Sequence, residues 1–183
     1  MDGDQIWEQR RARLNAPKSV FKRTQLQPES KYRVHLLLCA AVKEGDVDEF
    51  MEALEKNSVE ERVTLSDIIY IRGPSGNSLL HVAAGIWKPD ILQALIEVRP
   101  GKKLAANANY RGDTVLHIAA RAGRIRTAEL LLGCGGVVDK ANDMGNTMLH
   151  EAVKSRHYEL THLLLSRGSR SVYQENKEGN CPL

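Results

Sequence analysis

One nine-residue phrase occurs three times in this chain. It reads Gly76-Asn77-Ser78-Leu79-Leu80-His81-Val82-Ala83-Ala84, then Gly112-Asp113-Thr114-Val115-Leu116-His117-Ile118-Ala119-Ala120, then Gly145-Asn146-Thr147-Met148-Leu149-His150-Glu151-Ala152-Val153. The glycines lie 36 and then 33 residues apart, and a fourth copy opens at Gly179-Asn180-Cys181-Pro182-Leu183. A unit of about 33 residues cannot bury an apolar face by itself, so it must stack on its neighbours. The period therefore directs attention to surfaces rather than to an enclosed site.

Each residue of the phrase has a physical task. The glycine suits a turn tip, where positive φ costs least without a Cβ. Ser78, Thr114 and Thr147 stand where a helix should begin, and their hydroxyls can serve its free N–H groups. His81, His117 and His150 can bond back to that hydroxyl and to the neighbouring turn. Leu80, Leu116 and Leu149 point inward, and the small pair after them lets adjacent helices approach closely. A second apolar stretch follows in each unit: Ile91-Leu92 to Leu95-Ile96, Ala128 to Leu132, and Leu160 to Leu165. Their 3,4 spacing predicts a returning amphipathic helix.

An earlier unit lacks the opening phrase. Leu36-Leu37-Leu38-Cys39-Ala40-Ala41 leads to Gly45, and Val47 to Leu54 reads as its second helix. The step from Ala41 to Ala83 is 42 residues, which places an insertion in a loop over Asn57 to Ser75. The predicted organisation is a basic extension at 1–33, then repeats at about 34–72, 73–108, 109–141 and 142–175, with an incomplete fifth at 176–183. Trp87 and Arg156 replace the glycine that ends the inner helix at Gly123, and Pro89 is placed to start a returning helix.

The T-P-L-H-x-A-like core at this period resembles the ankyrin repeat, which implies an all-α solenoid of helix-turn-helix units. The resemblance narrows toward the plant ankyrin-repeat membrane proteins of the accelerated-cell-death and salt-tolerance types. It rests on Gly112 to Gly123, on Gly145 to Val153 with His157-Tyr158-Glu159, and on Tyr173 to Gly179 with Cys181-Pro182-Leu183. That resemblance implies protein binding without chemistry of its own, in plant defence or stress signalling. Relatives carry a transmembrane domain, so they belong at the cytosolic face of a membrane. This chain would by comparison be cytoplasmic. The alternative reading is a non-functional or regulatory truncated fragment of such a longer protein.

Composition agrees with a helical stack: 42% apolar residues and 5% aromatic. Residues 1–33 hold eight Lys/Arg against four Asp/Glu, which leaves about −1 for the rest of a chain whose net charge is +3. Ile6-Trp7 and Leu14 beside Arg10, Arg11 and Arg13 make too short a stripe for a lipid-surface helix. We read the segment as solvated, with Pro17 and Pro28 breaking any continuation. A basic tail without a reading motif supports only non-specific attraction to nucleic acid. Cys39, Cys134 and Cys181 are odd in number and widely spaced, which argues against a disulfide framework or zinc site and for a reducing compartment. No apolar run approaches about 18 residues, so no membrane span is predicted.

No catalytic or cofactor set emerges. The repeated histidines occur once per unit at one helix position, so we assign them to structure rather than to a metal. Gly133-Cys134-Gly135-Gly136 reads as a helix stop. Arg111-Gly112-Asp113 spells an integrin-recognition tripeptide by coincidence, at a repeat turn. Partner contact is expected at turn tips and the solvent side of first helices: Tyr110, Arg111, Asp113 and Arg121 in one unit, Asp143, Met144 and Lys154 in the next, Ile86 and Trp87 in the one before. The repeat motif itself is Gly76, Ser78, His81, Gly112, Thr114, His117, Gly145, Thr147 and His150.

Overall fold

The computed structural model describes residues 27–98 and 107–183. The amphipathic-stripe reading at Ile6, Trp7 and Leu14 lies outside the described residues. Helices follow one another in pairs. They are α1 Pro28–Glu44, α2 Val47–Glu60, α3 Leu65–Ile69, α4 Leu79–Gly85, α5 Pro89–Val98, α6 Val115–Arg121, α7 Ile125–Gly133, α8 Met148–Lys154 and α9 Tyr158–Ser166, with a 3₁₀ turn at Ser171–Tyr173. Among the described residues there is no strand, only an isolated bridge between Ala108 and Thr114. The fold is the expected all-α solenoid.

Two rows of helices make the stack. The inner row is α1, α4, α6 and α8, each packed on the next, and each inner helix packs on its own returning partner. In the outer row α2 packs on α5 and α5 on α7. Leu80, Leu116 and Leu149 are buried as their position requires, as are the small residues Ala83, Ala84, Ala119, Ala120 and Ala152. Those small side chains are what lets seven-residue inner helices sit close. Helices this short are marginal alone, so packing must hold them.

Two features differ from the sequence reading. The last residues of the expected extension, 28–33, are helical: after an extended Gln27, Pro28 opens α1 from the first turn, where its missing N–H is no loss. Val34 and His35, near the expected edge of the extension, are buried in that helix. The insertion after the first unit is also not a plain loop. Thr64 caps α3 through the Asp67 amide, and Leu65, Ile68 and Ile69 bury their side chains in the common core. A short apolar cluster within a polar loop was enough to nucleate an extra turn of helix.

The inner helices end in two ways. After α6, the Arg124 N–H bonds back to Ala119 O at 2.9 Å, and Gly123 takes φ +66°. After α8 the His157 N–H reaches Ala152 O at 2.9 Å, with Arg156 forced to φ +61°. After α4 no such closure forms. Ile86 is extended, and Pro89 begins α5 directly.

Candidate functional site

The turn tips are built from the histidines outward. Thr114 N–H donates to His117 Nδ1 at 3.1 Å, and the Thr114 hydroxyl lies 2.8 Å from the same nitrogen. The same pair of contacts joins Ser78 to His81 and Thr147 to His150. Each is a capping box with histidine in the place usually held by glutamate. The other ring nitrogen then donates across the junction. His81 Nε2 reaches Asp113 O at 3.1 Å, His117 reaches Asn146 O at 2.9 Å, and His150 reaches Asn180 O at 3.1 Å. The histidines therefore join each unit to the next. Burial pulls the His81 ring down to about 4, and burial likewise lowers His117.

An asparagine ladder runs beside them, and the sequence reading missed it. Asn142 Oδ1 accepts from the Met144 and Asn146 N–H groups, both at 3.0 Å, and so holds its own turn closed. Its Nδ2 donates to Asp113 Oδ1 of the preceding unit at 2.7 Å. Asn109 does the same toward Asn77 at 2.8 Å, and Asn176 toward Asn146 at 2.7 Å. The signal was present, since an asparagine stands three residues before each of Gly112, Gly145 and Gly179. In the second unit that place is Gly73, and a Cβ there would strike the buried His35 ring.

The tips are also pinned by backbone. Tyr110 N–H donates to Ser75 O at 3.2 Å, Asp143 N–H to Arg111 O at 3.1 Å, and Lys177 N–H to Met144 O at 3.0 Å. The base of the Tyr110 ring lies against Gly76 and the Asp143 carboxylate against Gly112, and beyond those contacts the side chains open to solvent. Tyr110 is 67% exposed, and Arg111, Asp143, Met144 and Lys154 are exposed too. Trp87, 71% exposed, faces solvent at the end of α4.

Three of the expected contact residues are taken up inside the molecule. Asp113 is 1% exposed, and its carboxylate meets Arg121 at 3.2 and 3.3 Å as well as Asn142. Arg121 is half-buried and also donates from Nε to Glu151 Oε2 at 2.8 Å. Burial would raise the Asp113 and Glu151 carboxyls, but hydrogen bonds and charge from Arg121, with Asn142 and Asn146, outweigh it and hold both below their ordinary values. The bond to Glu151 raises the Arg121 guanidinium in turn. Asp113 therefore cannot present the Arg111-Gly112-Asp113 tripeptide to anything. Ile86 is partly buried against the core. For Asp113 and Arg121 the physical reason is shared: the next unit brings Asn142 and Glu151 against them.

Among the described residues no group of three or more His, Cys, Asp or Glu is placed to hold a metal. No helix among them is long and apolar enough to cross a membrane. The described cysteines are unpaired thiols.

Stacked helix pairs, tied tip to tip and presenting free side chains from rigid turns, define a repeat scaffold for binding. The chain matches the family model described as ankyrin repeats (3 copies) over residues 36–137 and again over residues 80–176. It belongs to the ankyrin-repeat family, whose repeats serve as protein–protein interaction modules.

Proposed function

We propose that this chain binds its protein partner along the tip row, with Tyr110, Arg111, Asp143 and Met144, continued onto Lys154 and Trp87. The observation that carries this is the contrast at each tip: backbone bonded to the neighbouring tip, side chain exposed. Such tips pay little backbone ordering entropy on binding. Tyr, Trp, Met and Arg are also the types enriched where interfaces are strongest. The repeats are those of a non-enzymatic scaffold, and the free thiols suit a reducing, cytoplasmic setting.

By the resemblance drawn above, the pathway is plant defence or stress signalling, as a relative of membrane-anchored ankyrin proteins. The motifs quoted from the third, fourth and fifth units support that narrower reading.

The test is affinity capture with the chain and with Tyr110→Ala plus Arg111→Ala, partners being identified by mass spectrometry. Partners lost from the double variant support the tip row. An unchanged set removes Tyr110 and Arg111 from the interface.

A further inference from the structure

Two cavities lie side by side at the loops that join inner to outer helices. One, of about 260 Å³, is lined by Trp87, Gly123, Arg124, Ile125, Arg126 and Thr127. The other, of about 280 Å³, shares Gly123 and Ile125 and adds Arg156, His157, Tyr158 and Glu159. Trp87 and Tyr158 are exposed aromatic walls, and Arg126 and Arg156 are exposed. The Arg124 guanidinium lies 6.0 Å from the centre of the Trp87 ring. Glu159 is the one acid among these lining residues.

Two helix N-termini open here. The N-caps are Arg124 for α7 and His157 for α9, and neither closes its helix with a side-chain bond. Free N–H groups and the positive end of the helix dipole favour an anion, yet α7 has no acid in its first turn and carries Arg126 there.

An independent observation points the same way. Thr127 is 1% exposed, and its Oγ1 makes no hydrogen bond; the buried Nε of Arg124, another residue lining this cavity, makes none either. Buried polar atoms are nearly always paired. At the same helix position the neighbouring units place Ile91 and Leu160, both fully buried. An apolar residue would thus pack here, and a hydroxyl stands in its place.

We propose that this groove takes an acidic peptide segment of the partner, one carboxylate seating at the α7 N-terminus beside Arg124, Arg126 and Thr127. The inference rests on the protein-binding reading and specifies the partner's chemistry. Adjacent helices lie roughly 8–10 Å apart, and residues three apart in an extended chain are separated by about 10 Å. A second carboxylate at that spacing reaches Arg156 at the mouth of α9. Glu159 opposes it there, so the α7 seat dominates. Trp87 and Tyr158 flank the segment.

Fluorescence anisotropy with a labelled peptide bearing two glutamates three residues apart tests this, against the same peptide with glutamines. The glutamate peptide should bind at least tenfold tighter. Arg126→Ala and Thr127→Val should each weaken it at least fivefold, and their thermal melts report whether folding is intact. Should Thr127→Val fold poorly, Arg126→Ala, at an exposed position, carries the test alone. Equal binding of the two peptides, no binding, or indifference to Arg126→Ala overturns the proposal. Tyr110→Ala plus Arg111→Ala should leave peptide affinity unchanged. If that variant loses partners while the peptide never binds, the groove assignment falls and the tip-row reading stands.

Discussion

In their capping boxes His81 and His117 are held neutral. Nδ1 accepts from the cap amide while Nε2–H donates to the next unit, so a proton on Nδ1 breaks the first bond. In the unfolded chain the ring takes that proton near pH 6.5; folded, His81 resists until about pH 4. Stability is thus complete above about 6.5 and drains away as pH falls toward 4, because the unfolded state binds the proton first. For His81 alone the loss approaches about 3 kcal/mol. His117 adds to it in the same direction. Below that range the depressed carboxyls of Asp113 and Glu151 lose their contribution as well. Melting temperature should fall steadily from pH 7 to pH 4.5, and a flat profile would refute the neutral-ring account. Asn142 is the other residue to test. Asn142→Ala strands two tip amides and takes one of its hydrogen bonds from the Asp113 carboxylate, which keeps Arg121, at a cost of about 3 kcal/mol by urea denaturation. Asp143→Ala, next door but exposed, should stay within about 0.5 kcal/mol.

At the scale of elements, the ends of the inner helices set what the neighbouring unit can place there. Gly123 leaves room for the His157 ring, which a Cβ would strike, and His157 Nε2 donates to Arg121 O at 3.2 Å. Lys88 likewise lies over Gly45 and donates to Glu44 O at 3.4 Å. Both cations or donors sit at a helix C-terminus, where the dipole favours them. Trp87 removes the glycine from this pattern, and Arg124 meets an aromatic face instead of a carbonyl. Arg156 keeps the left-handed turn without being glycine, so it stores strain. Arg156→Gly should raise stability by about 0.5–1 kcal/mol, with Gly123→Ala lowering it by more than about 1 kcal/mol. Shifts of the opposite sign in urea midpoints would show that the turns do not control these ends.

Over the whole molecule, stability is carried by neighbours in sequence order. α4 and α6 are each packed between two inner helices, whereas α9 belongs to the last described pair. In such a stack cooperativity passes through junctions rather than through one central core. Amide exchange should therefore be slowest in α4 and α6 and faster in α9. A single rate across all helices would contradict nearest-neighbour coupling. Leu116→Ala, cutting the core beneath a central junction, should cost about 2–5 kcal/mol and speed exchange on both sides of it.

The recurrence of Gly-x-Ser/Thr-x-Leu-His with its small-residue pair was enough to establish the solenoid and its inner helices. Those features are local or periodic, and chemistry that repeats at fixed spacing is visible along a chain. Tertiary structure decided which turn residues remain at the surface. Asp113 and Arg121 look like tip and helix-face residues in one dimension, but the fourth unit brings Asn142 and Glu151 against them and they are consumed. Tyr110 and Met144 look no different in sequence, yet they stay at the surface because the hydrogen bonds across the junction run through their backbones. The orphaned hydroxyl of Thr127 and the paired N-termini around it likewise exist only once two units stack. Burial and pairing between units depend on contacts some 30 residues apart, and no single window of the chain contains both partners.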